Sequence, residues 1–270
     1  MSELSSHYKN ISNKKKEASL YVKTLGEFTV FVDGEEIKSK KWGRDKTVQL
    51  FQFLLTARHR KSLHKEQIIN RLWEDAGMKE GDRDFKVALH GISKVIEPER
   101  KSRTESKYIV RQGVTYQLNM NSICVDSEML DEYIVLGNQA LGNDQKIATK
   151  AFQQATKLYE GTYLPNRLYE DWANTERERI QVLALGAFTN LSELMLDQNP
   201  SESIRLAQEI ILIDNSWEDA YRIQMQAYNL NGNRPAALKT FDKCSKVLEK
   251  EFGIEPLPQT KKVYKEILNA

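Results

Sequence analysis

The sequence predicts a mainly α-helical chain with a small β component: an N-terminal winged helix (N-terminal sheet, three helices, β-hairpin wing) followed by a tetratricopeptide-like α-solenoid. Strand-like alternation occurs only before residue 125, where it brackets three helical segments. After that point amphipathic helices follow one another, separated by turns that contain glycine or proline. The predicted boundaries are residues 1–19 for a disordered basic lead-in, 20–123 for the winged helix and 124–270 for the solenoid.

A small antiparallel sheet is expected at the start of the winged helix. In residues 20–37, LYVKTLGEFTVFVDGEEI, apolar side chains alternate at Phe28, Val30 and Val32. The dipeptide Asp33-Gly34 is a strong hairpin signal, because both residues tolerate the backbone of a two-residue turn.

Three helices and a second hairpin follow the sheet. The helical stretches are RDKTVQLFQFLLTA (44–57), KEQIINRLW (65–73) and DFKVALHGISKVIEPER (84–100), the last ending near Pro98. The stretch EDAGMKEGDR (74–83) is predicted to be a loop, and YIVRQGVTYQL (108–118) a pair of strands around Gln112-Gly113. In this order the second and third helices form a helix-turn-helix and the hairpin forms the wing.

The remaining residues read as helices, one pair of which has the pattern of a tetratricopeptide repeat. In AYRIQMQAYNLNGNRPAALKTFDKCSKVL (220–248), Ala227, Ala236 and Ala237 permit close helix approach and Gly232 makes the turn. The stretch 144–161, DQKIATKAFQQATKLYEG, resembles the second helix of another such unit. We therefore expect a short α-solenoid.

The net charge of +2 hides an asymmetry between the two halves. Residues 1–125 carry 24 lysines and arginines against 16 aspartates and glutamates, a net charge of +8, whereas the remainder carries 16 against 22, a net charge of −6. A basic half joined to an acidic half indicates two units with different partners, the first of them a polyanion.

The third predicted helix has one apolar and one polar face. At 100° per residue, Phe85, Ala88, Leu89, Ile92, Val95 and Ile96 share a single arc, which is predicted to face the core. The opposite arc carries Arg83, Lys86, Val87, His90 and Lys94, with Gly91 and Ser93 on its flanks. A helix fits the DNA major groove, where base edges offer acceptors to cations and a methyl group to an apolar side chain, so these five residues are predicted to meet DNA bases.

Basic residues around this helix are predicted to contact DNA phosphates. They are Arg58, Arg60, Lys61, Arg100, Lys101, Arg103, Lys107 and Arg111. The alternative is an ordinary solvated face, because charged outer faces are typical of core helices. Gly91 favours that alternative, since glycine costs up to ~1 kcal/mol of helix propensity.

Catalysis, metal binding and membrane insertion are not predicted. The sequence has no phosphate loop, HExxH or nucleophile elbow, and its only cysteines, Cys124 and Cys244, lie far apart. No apolar run approaches the roughly 20 residues of a membrane helix, and the lysine-containing N-terminus lacks the apolar region of a secretory signal. We expect a cytoplasmic, non-enzymatic protein without cofactor or metal.

Several stretches together resemble the SARP-type bacterial transcriptional regulators. LGEFTVFVDGEEI, LHKEQIINRLWED, DFKVALHGISKVIEP and VTYQLN resemble the winged-helix part of that family. VDSEMLDEY, LYEGTYLPNRLYEDWANTERERI and AYNLNGNRPAALKTFDKCSKVLEKEFGIEPLPQT resemble its bacterial transcriptional activation domain, and the resemblance runs from about Leu25 to Leu268.

The resemblance implies a DNA-binding transcriptional activator that binds promoter DNA as a dimer and recruits RNA polymerase. Many members are output ends of longer chains with a nucleotide-hydrolysing sensor, so both a stand-alone regulator and an output half with an upstream sensor domain are expected alternatives. Many members also carry an arginine-rich run where this sequence has HGISK. From the family's pattern we therefore assign a DNA-reading role only to Lys94, together with His90 and Lys86. The alternative function is a protein-binding scaffold, or an output module whose winged helix binds DNA weakly or not at all.

Overall fold

The computed structural model describes residues 3–59, 62–101 and 103–269, which divide into two compact units. Residues 9–129 and 160–179 form what we call the winged-helix unit, and residues 1–8, 130–159 and 180–270 form the helical unit. Among the described residues, no helix combines the length and the apolar character needed to cross a membrane.

Two small sheets shape the winged-helix unit. The first has the order β3-β2-β1-β7, with β1 (Leu20–Lys23) antiparallel to β2 (Thr29–Val32) and parallel to β7 (Cys124–Val125). Asp33 (φ 49°) and Gly34 (φ 84°) form the predicted turn between β2 and β3 (Glu35–Glu36). The second sheet has the order β4-β6-β5, from strands Leu63–His64, Thr115–Leu118 and Ile109–Gln112, and its β5–β6 hairpin is the predicted wing.

Helix α1 (Glu3–Glu17) occupies most of the segment that was predicted to be a disordered lead-in, so that prediction is wrong for these residues. Contacts that could not be predicted from its polar composition hold this helix in place. Ile11 is buried, and the Lys15 ammonium lies 4.4 Å from the centre of the Tyr21 ring in β1, within cation–π distance.

The three predicted helices are present: α2 (Asp45–Thr56), α3 (Lys65–Leu72) and α4 (Met78–Ile96), with the short strand β4 between the first two. Helix α4 begins at Met78, six residues before the predicted start, so the predicted loop over 74–83 is too long. Gly81 lies within this added turn, where a Cβ would be 2.6 Å from Cγ2 of Ile69 in α3. This glycine permits the close approach of α3 and α4 and does not break the helix.

The boundary predicted between residues 123 and 124 differs from the compact units, because residues 124–129 and 160–179 pack with the winged helix. The buried Asp126 carboxylate accepts hydrogen bonds from the Thr24 and Leu25 amides at 2.8 and 2.9 Å. Burial raises the pKa of Asp126, against the effect of these hydrogen bonds. Leu25 forms a β-bridge with Tyr163, which ties the second segment to the same sheet.

Within the described part of the chain, the helical unit is built from seven helices after α1, of which the first and third begin in the winged-helix unit. They are α5 (Asp126–Ala140), α6 (Gln145–Leu158), α7 (Asp171–Met195), α8 (Pro200–Ile213), α9 (Glu218–Leu230), α10 (Arg234–Phe252) and α11 (Pro258–Asn269). The predicted tetratricopeptide pair is α9 and α10, joined at Gly232 with φ 72°. Met225, Ala237 and Ile267 form the cluster that joins this pair to α11.

Candidate nucleic-acid interface

Helix α4 presents the predicted polar arc to solvent. Lys86, His90 and Lys94 are exposed, as is Arg83, and Val87 is an apolar side chain with 44% of its surface accessible. The opposite face is buried against the rest of the unit through Phe85, Ala88, Ile92, Val95 and Ile96. The amphipathic pattern therefore fixes which side chains of α4 are free to meet a ligand.

Gly91 does not belong to the exposed arc, contrary to its predicted place on the flank. A Cβ at this position would lie 2.8 Å from Cγ2 of Thr47, so Gly91 is where α4 crosses α2. Ser93 is also turned inward and is only 8% exposed. A bulky basic side chain at Gly91 would meet α2 before it reached solvent, which explains the absence of arginine there.

A cleft of about 910 Å³ separates α4 from the wing and from the loop that joins them, residues 97–107. The cleft brings together candidate DNA-binding residues that are distant from one another in the sequence. The predicted residues in its lining are Lys86, His90, Arg100, Arg103 and Arg111. The cleft therefore has basic residues on all three sides, and Glu105 in the loop is the acidic residue of its lining.

Acidic neighbours compensate the cations in the first half of α4. The Lys86 ammonium lies 2.6 Å from an Asp82 carboxylate oxygen, and Lys65 pairs with the same carboxylate. Hydrogen bonds from these two lysines lower the pKa of Asp82 to about 2. Arg83 pairs with Asp84 at 3.1 Å and with Glu80 at 3.3 Å.

The second half of α4 and the following loop carry basic side chains without such partners. In the part of the chain that the structure describes, no carboxylate pairs with His90, Lys94, Lys101 or Arg103. Arg100 lies 3.8 Å from Glu97, a loose pair, and donates to the Thr104 carbonyl. Basic side chains without a carboxylate partner are therefore concentrated at the C-terminal end of α4 and in the following loop, which also carries Glu97, Glu99 and Glu105.

Cations in and beside the wing are oriented by neutral groups. Arg111 in β5 donates from Nε to the Gly113 carbonyl at 3.0 Å and lies over the Tyr116 ring, 5.8 Å from its centre. Lys107 donates to the Ser19 hydroxyl at 2.6 Å. Because neither interaction cancels the charge, both side chains keep their attraction for anions.

Arg58 is not part of this surface, and its prediction as a phosphate contact is wrong. The residue is 9% exposed, with its guanidinium 2.6 Å from Glu176 and paired with Glu128 as well. It also donates to the Leu55 carbonyl at 3.0 Å. Two carboxylates and a backbone carbonyl thus hold it inside the unit. Arg60 and Lys61, predicted beside it, lie outside the described residues.

Lys65 lines the cleft although it was not predicted from the sequence. A single lysine at the start of α3 is a weak sequence signal for a binding residue. Only the fold brings Lys65 into contact with Asp82, which lies 17 residues further along the chain. Thr104, Ser106 and Gln112 also line the cleft and add neutral hydrogen-bonding groups to it.

Comparisons with known proteins agree with this architecture. The sequence profile of the bacterial transcriptional activator domain matches residues 125–268, more than half of the chain. A structure of Mycobacterium tuberculosis EmbR in complex with a low-affinity phosphopeptide superposes with a TM-score of 0.79 at 17% identity, over 94% of this chain and 66% of EmbR. This chain therefore spans slightly less than two thirds of that protein.

A structure of the TPR2AB domain of yeast Sti1 with pHSP90 gives a TM-score of 0.29 at 12% identity, over 83% of this chain and 97% of that one. No curated protein sequence matches the chain.

The EmbR superposition confirms the predicted fold class, a winged helix followed by a tetratricopeptide-like solenoid. The family description names a transcriptional activator domain, which is a regulatory role. The chain belongs to the bacterial transcriptional activator domain family, and its architecture is that of a SARP-type transcriptional regulator.

Proposed function

We propose that this chain binds double-stranded DNA through the exposed face of α4 and activates transcription from the promoter it occupies. The observation that carries the proposal is the basic cleft between α4 and the wing, in which Lys86, His90, Arg100, Arg103 and Arg111 meet. Phosphate contacts supply most of the affinity of such proteins, and base contacts supply sequence preference.

The proposed base-reading residues are those on the exposed arc of α4. A helix about 10–12 Å across fits the major groove, which is ≈ 12 Å wide. Lys94 and His90 offer donors to base acceptors, and Val87 offers an apolar contact for a thymine methyl group. Lys86 reaches the same groove once DNA competes with Asp82 for its ammonium. Arg83 is proposed as a weaker contact, because Glu80 and Asp84 already hold it.

The proposed phosphate contacts lie in the loop and wing, at Arg100, Lys101, Arg103, Lys107 and Arg111. All five are exposed and sit on segments that flank α4. We propose that the DNA-binding module includes residues 124–129 and 160–179 in addition to residues 20–123, since these segments complete its fold. The expected boundary at residue 123 would remove them.

The helical unit is proposed to engage protein partners in the bacterial cytoplasm. RNA polymerase, a second copy of the chain and an upstream sensor domain are the candidates, and the family description supports the first. The scaffold alternative loses part of its argument, because Gly91 packs against Thr47 of α2 and does not belong to the exposed arc. Ser93 is small, 8% exposed and lines the cleft beside that arc.

The salt dependence of DNA affinity tests the proposal. If the chain neutralises about six phosphates, log K should fall with log salt at a slope near −5, because each phosphate neutralised contributes about −0.9. Fluorescence anisotropy with promoter fragments recovered by selection from a genomic library measures this slope. Absence of binding to every fragment at low salt would overturn the proposal.

A further inference from the structure

Helix α10 carries a stripe of four lysines in a half of the chain that is otherwise acidic. Lys239, Lys243, Lys246 and Lys250 are spaced by four, three and four residues, so they lie within an arc of about 60° along about 16 Å of helix. All four are exposed. No carboxylate pairs with any of them in the described part of the chain.

This stripe lies between two apolar clefts of the helical unit. On one side Lys239 and Lys243 border a cleft of about 530 Å³ with Ile211, Leu212 and Tyr228. On the other side Lys246 and Lys250 border a cleft of about 570 Å³ with Phe241, Ile254 and Pro256. Leu212 is 80% exposed and Ile254 is 51% exposed, so each cleft presents a large apolar side chain to solvent.

Acidic groups near the stripe do not cancel it. The four lysines line a third, shallow cleft of about 450 Å³ together with Asp242 and Glu251. Glu251 accepts a hydrogen bond from the Asn215 amide at 2.8 Å, and Glu255, beside the second cleft, pairs with Lys261. Asp242, Glu249 and Glu251 lie close to the four lysines, so the stripe and these three neighbours together keep a net charge of +1 (four lysines against three carboxylates).

We propose that the stripe is a docking surface for an acidic segment of a partner protein that also carries apolar side chains. Four cations along one line suit a row of carboxylates, since complementary charge steers and orients a partner. DNA would satisfy the lysines but would leave Leu212 and Ile254 in water. A segment with leucines beside its glutamates covers both, which is why the surface favours a protein ligand. The inference is independent of DNA binding by α4.

Binding of synthetic peptides to the full chain tests this surface. One labelled 16-residue helical peptide carries glutamates at i, i+4, i+7 and i+11 with leucines on the adjoining face, and a second replaces the leucines by glutamines. We expect the first to bind and the second to bind about tenfold more weakly. Lys243→Glu with Lys246→Glu should weaken the first peptide about tenfold or more, because exposed ion pairs contribute up to ~1 kcal/mol each.

The matched control is Lys146→Glu with Lys150→Glu on α6, which changes the net charge equally at two exposed lysines of the same unit. This variant should bind the peptide like the wild type. Failure of the wild type to bind the first peptide, or equal effects of both variants, would overturn the proposal. So would loss of DNA affinity in Lys243→Glu with Lys246→Glu while peptide binding persists, since the stripe would then be a DNA contact.

Discussion

Gly91 connects helix propensity to packing at the scale of a single residue. It weakens α4 locally, yet a side chain there would collide with Thr47 of α2, which is itself buried. The crossing of α2 and α4 holds the exposed arc of α4 in place. A residue that looks like a defect in a DNA-reading helix is therefore part of the support of that helix.

Gly91→Ala is expected to lower the free energy of unfolding by about 1 kcal/mol. Overpacking costs roughly 1–3 kcal/mol, while the gain in helix propensity returns at most ~1 kcal/mol. Urea unfolding measures the change. Thr47→Ala removes the atoms that the new Cβ would meet, so Gly91→Ala in that background should be neutral or stabilising. Equal losses in both backgrounds would contradict the assigned collision.

Arg58 shows how burial changes the role of a cation. Its guanidinium is enclosed with Glu128 and Glu176, and Arg179 lies 2.8 Å from the second of these carboxylates. Burial raises the pKa of Glu176, but Arg179 and Arg58 outweigh burial and hold that pKa below its ordinary value of 4.5. The cluster joins α2 to the beginnings of α5 and α7 within the winged-helix unit.

Arg58→Met should cost about 3–5 kcal/mol of stability at neutral pH, because it leaves two carboxylates without their buried partner. A carboxyl group with a lowered pKa in the folded state contributes stability above pH 4.5, and this stability is lost as the pH falls through the folded value. The difference between variant and wild type should therefore narrow below pH 4.5. Thermal unfolding between pH 7 and pH 3.5 measures this difference in stability. A difference that does not change with pH would contradict the pairing of Arg58 with these carboxylates.

At the scale of elements, α4 is a helix with two electrostatic halves. Glu80, Asp82 and Asp84 compensate the cations of its first half, whereas His90 and Lys94 in its second half have no carboxylate partner among the described residues. The loop and the wing add further basic side chains at the same end. DNA is therefore expected to lie closer to the C-terminal end of α4 than to its start.

Asp82→Asn is expected to tighten DNA binding severalfold. The change frees Lys65 and Lys86, both in the lining of the cleft, from their shared carboxylate. The salt slope should steepen by about 0.9 for each further phosphate that the freed lysines neutralise. Asp33→Asn, in the remote β2–β3 turn, is the control and should leave affinity unchanged. Weaker binding by Asp82→Asn would show that the carboxylate positions these lysines productively.

Elements whose causes are local could be predicted from the sequence. Periodicity located α2, α3 and both faces of α4, and Asp33-Gly34 located a turn, because each depends on neighbouring residues. Features with distant causes could not be predicted. The role of Gly81 in α4 depends on its packing against Ile69, and the burial of Arg58 depends on carboxylates 70 and 118 residues away.

At the scale of the whole molecule, the chain combines a winged-helix unit drawn mainly from the basic first 125 residues with a helical unit drawn mainly from the acidic remainder. The compact division does not follow the sequence boundary, since residues 160–179 return to the winged-helix unit after two helices. Charge and fold nevertheless agree in one respect: residues 1–125 carry a net charge of +8, and all the residues that line the cleft between α4 and the wing come from this stretch. We therefore expect the two units to bind different classes of partner, DNA for the winged-helix unit and protein for the helical unit.

We propose above all that α4 reads the DNA sequence and that the neighbouring loop contacts the DNA phosphates. The most direct measurement compares dissociation constants for a fragment selected by the wild-type chain and for a random fragment of equal length. Lys86→Ala with Lys94→Ala should lower affinity for the selected fragment more than for the random one, because a lost base contact costs about 1–3 kcal/mol. Lys101→Ala with Arg103→Ala should weaken both alike. Equal weakening of both fragments by the first pair would contradict base reading by α4.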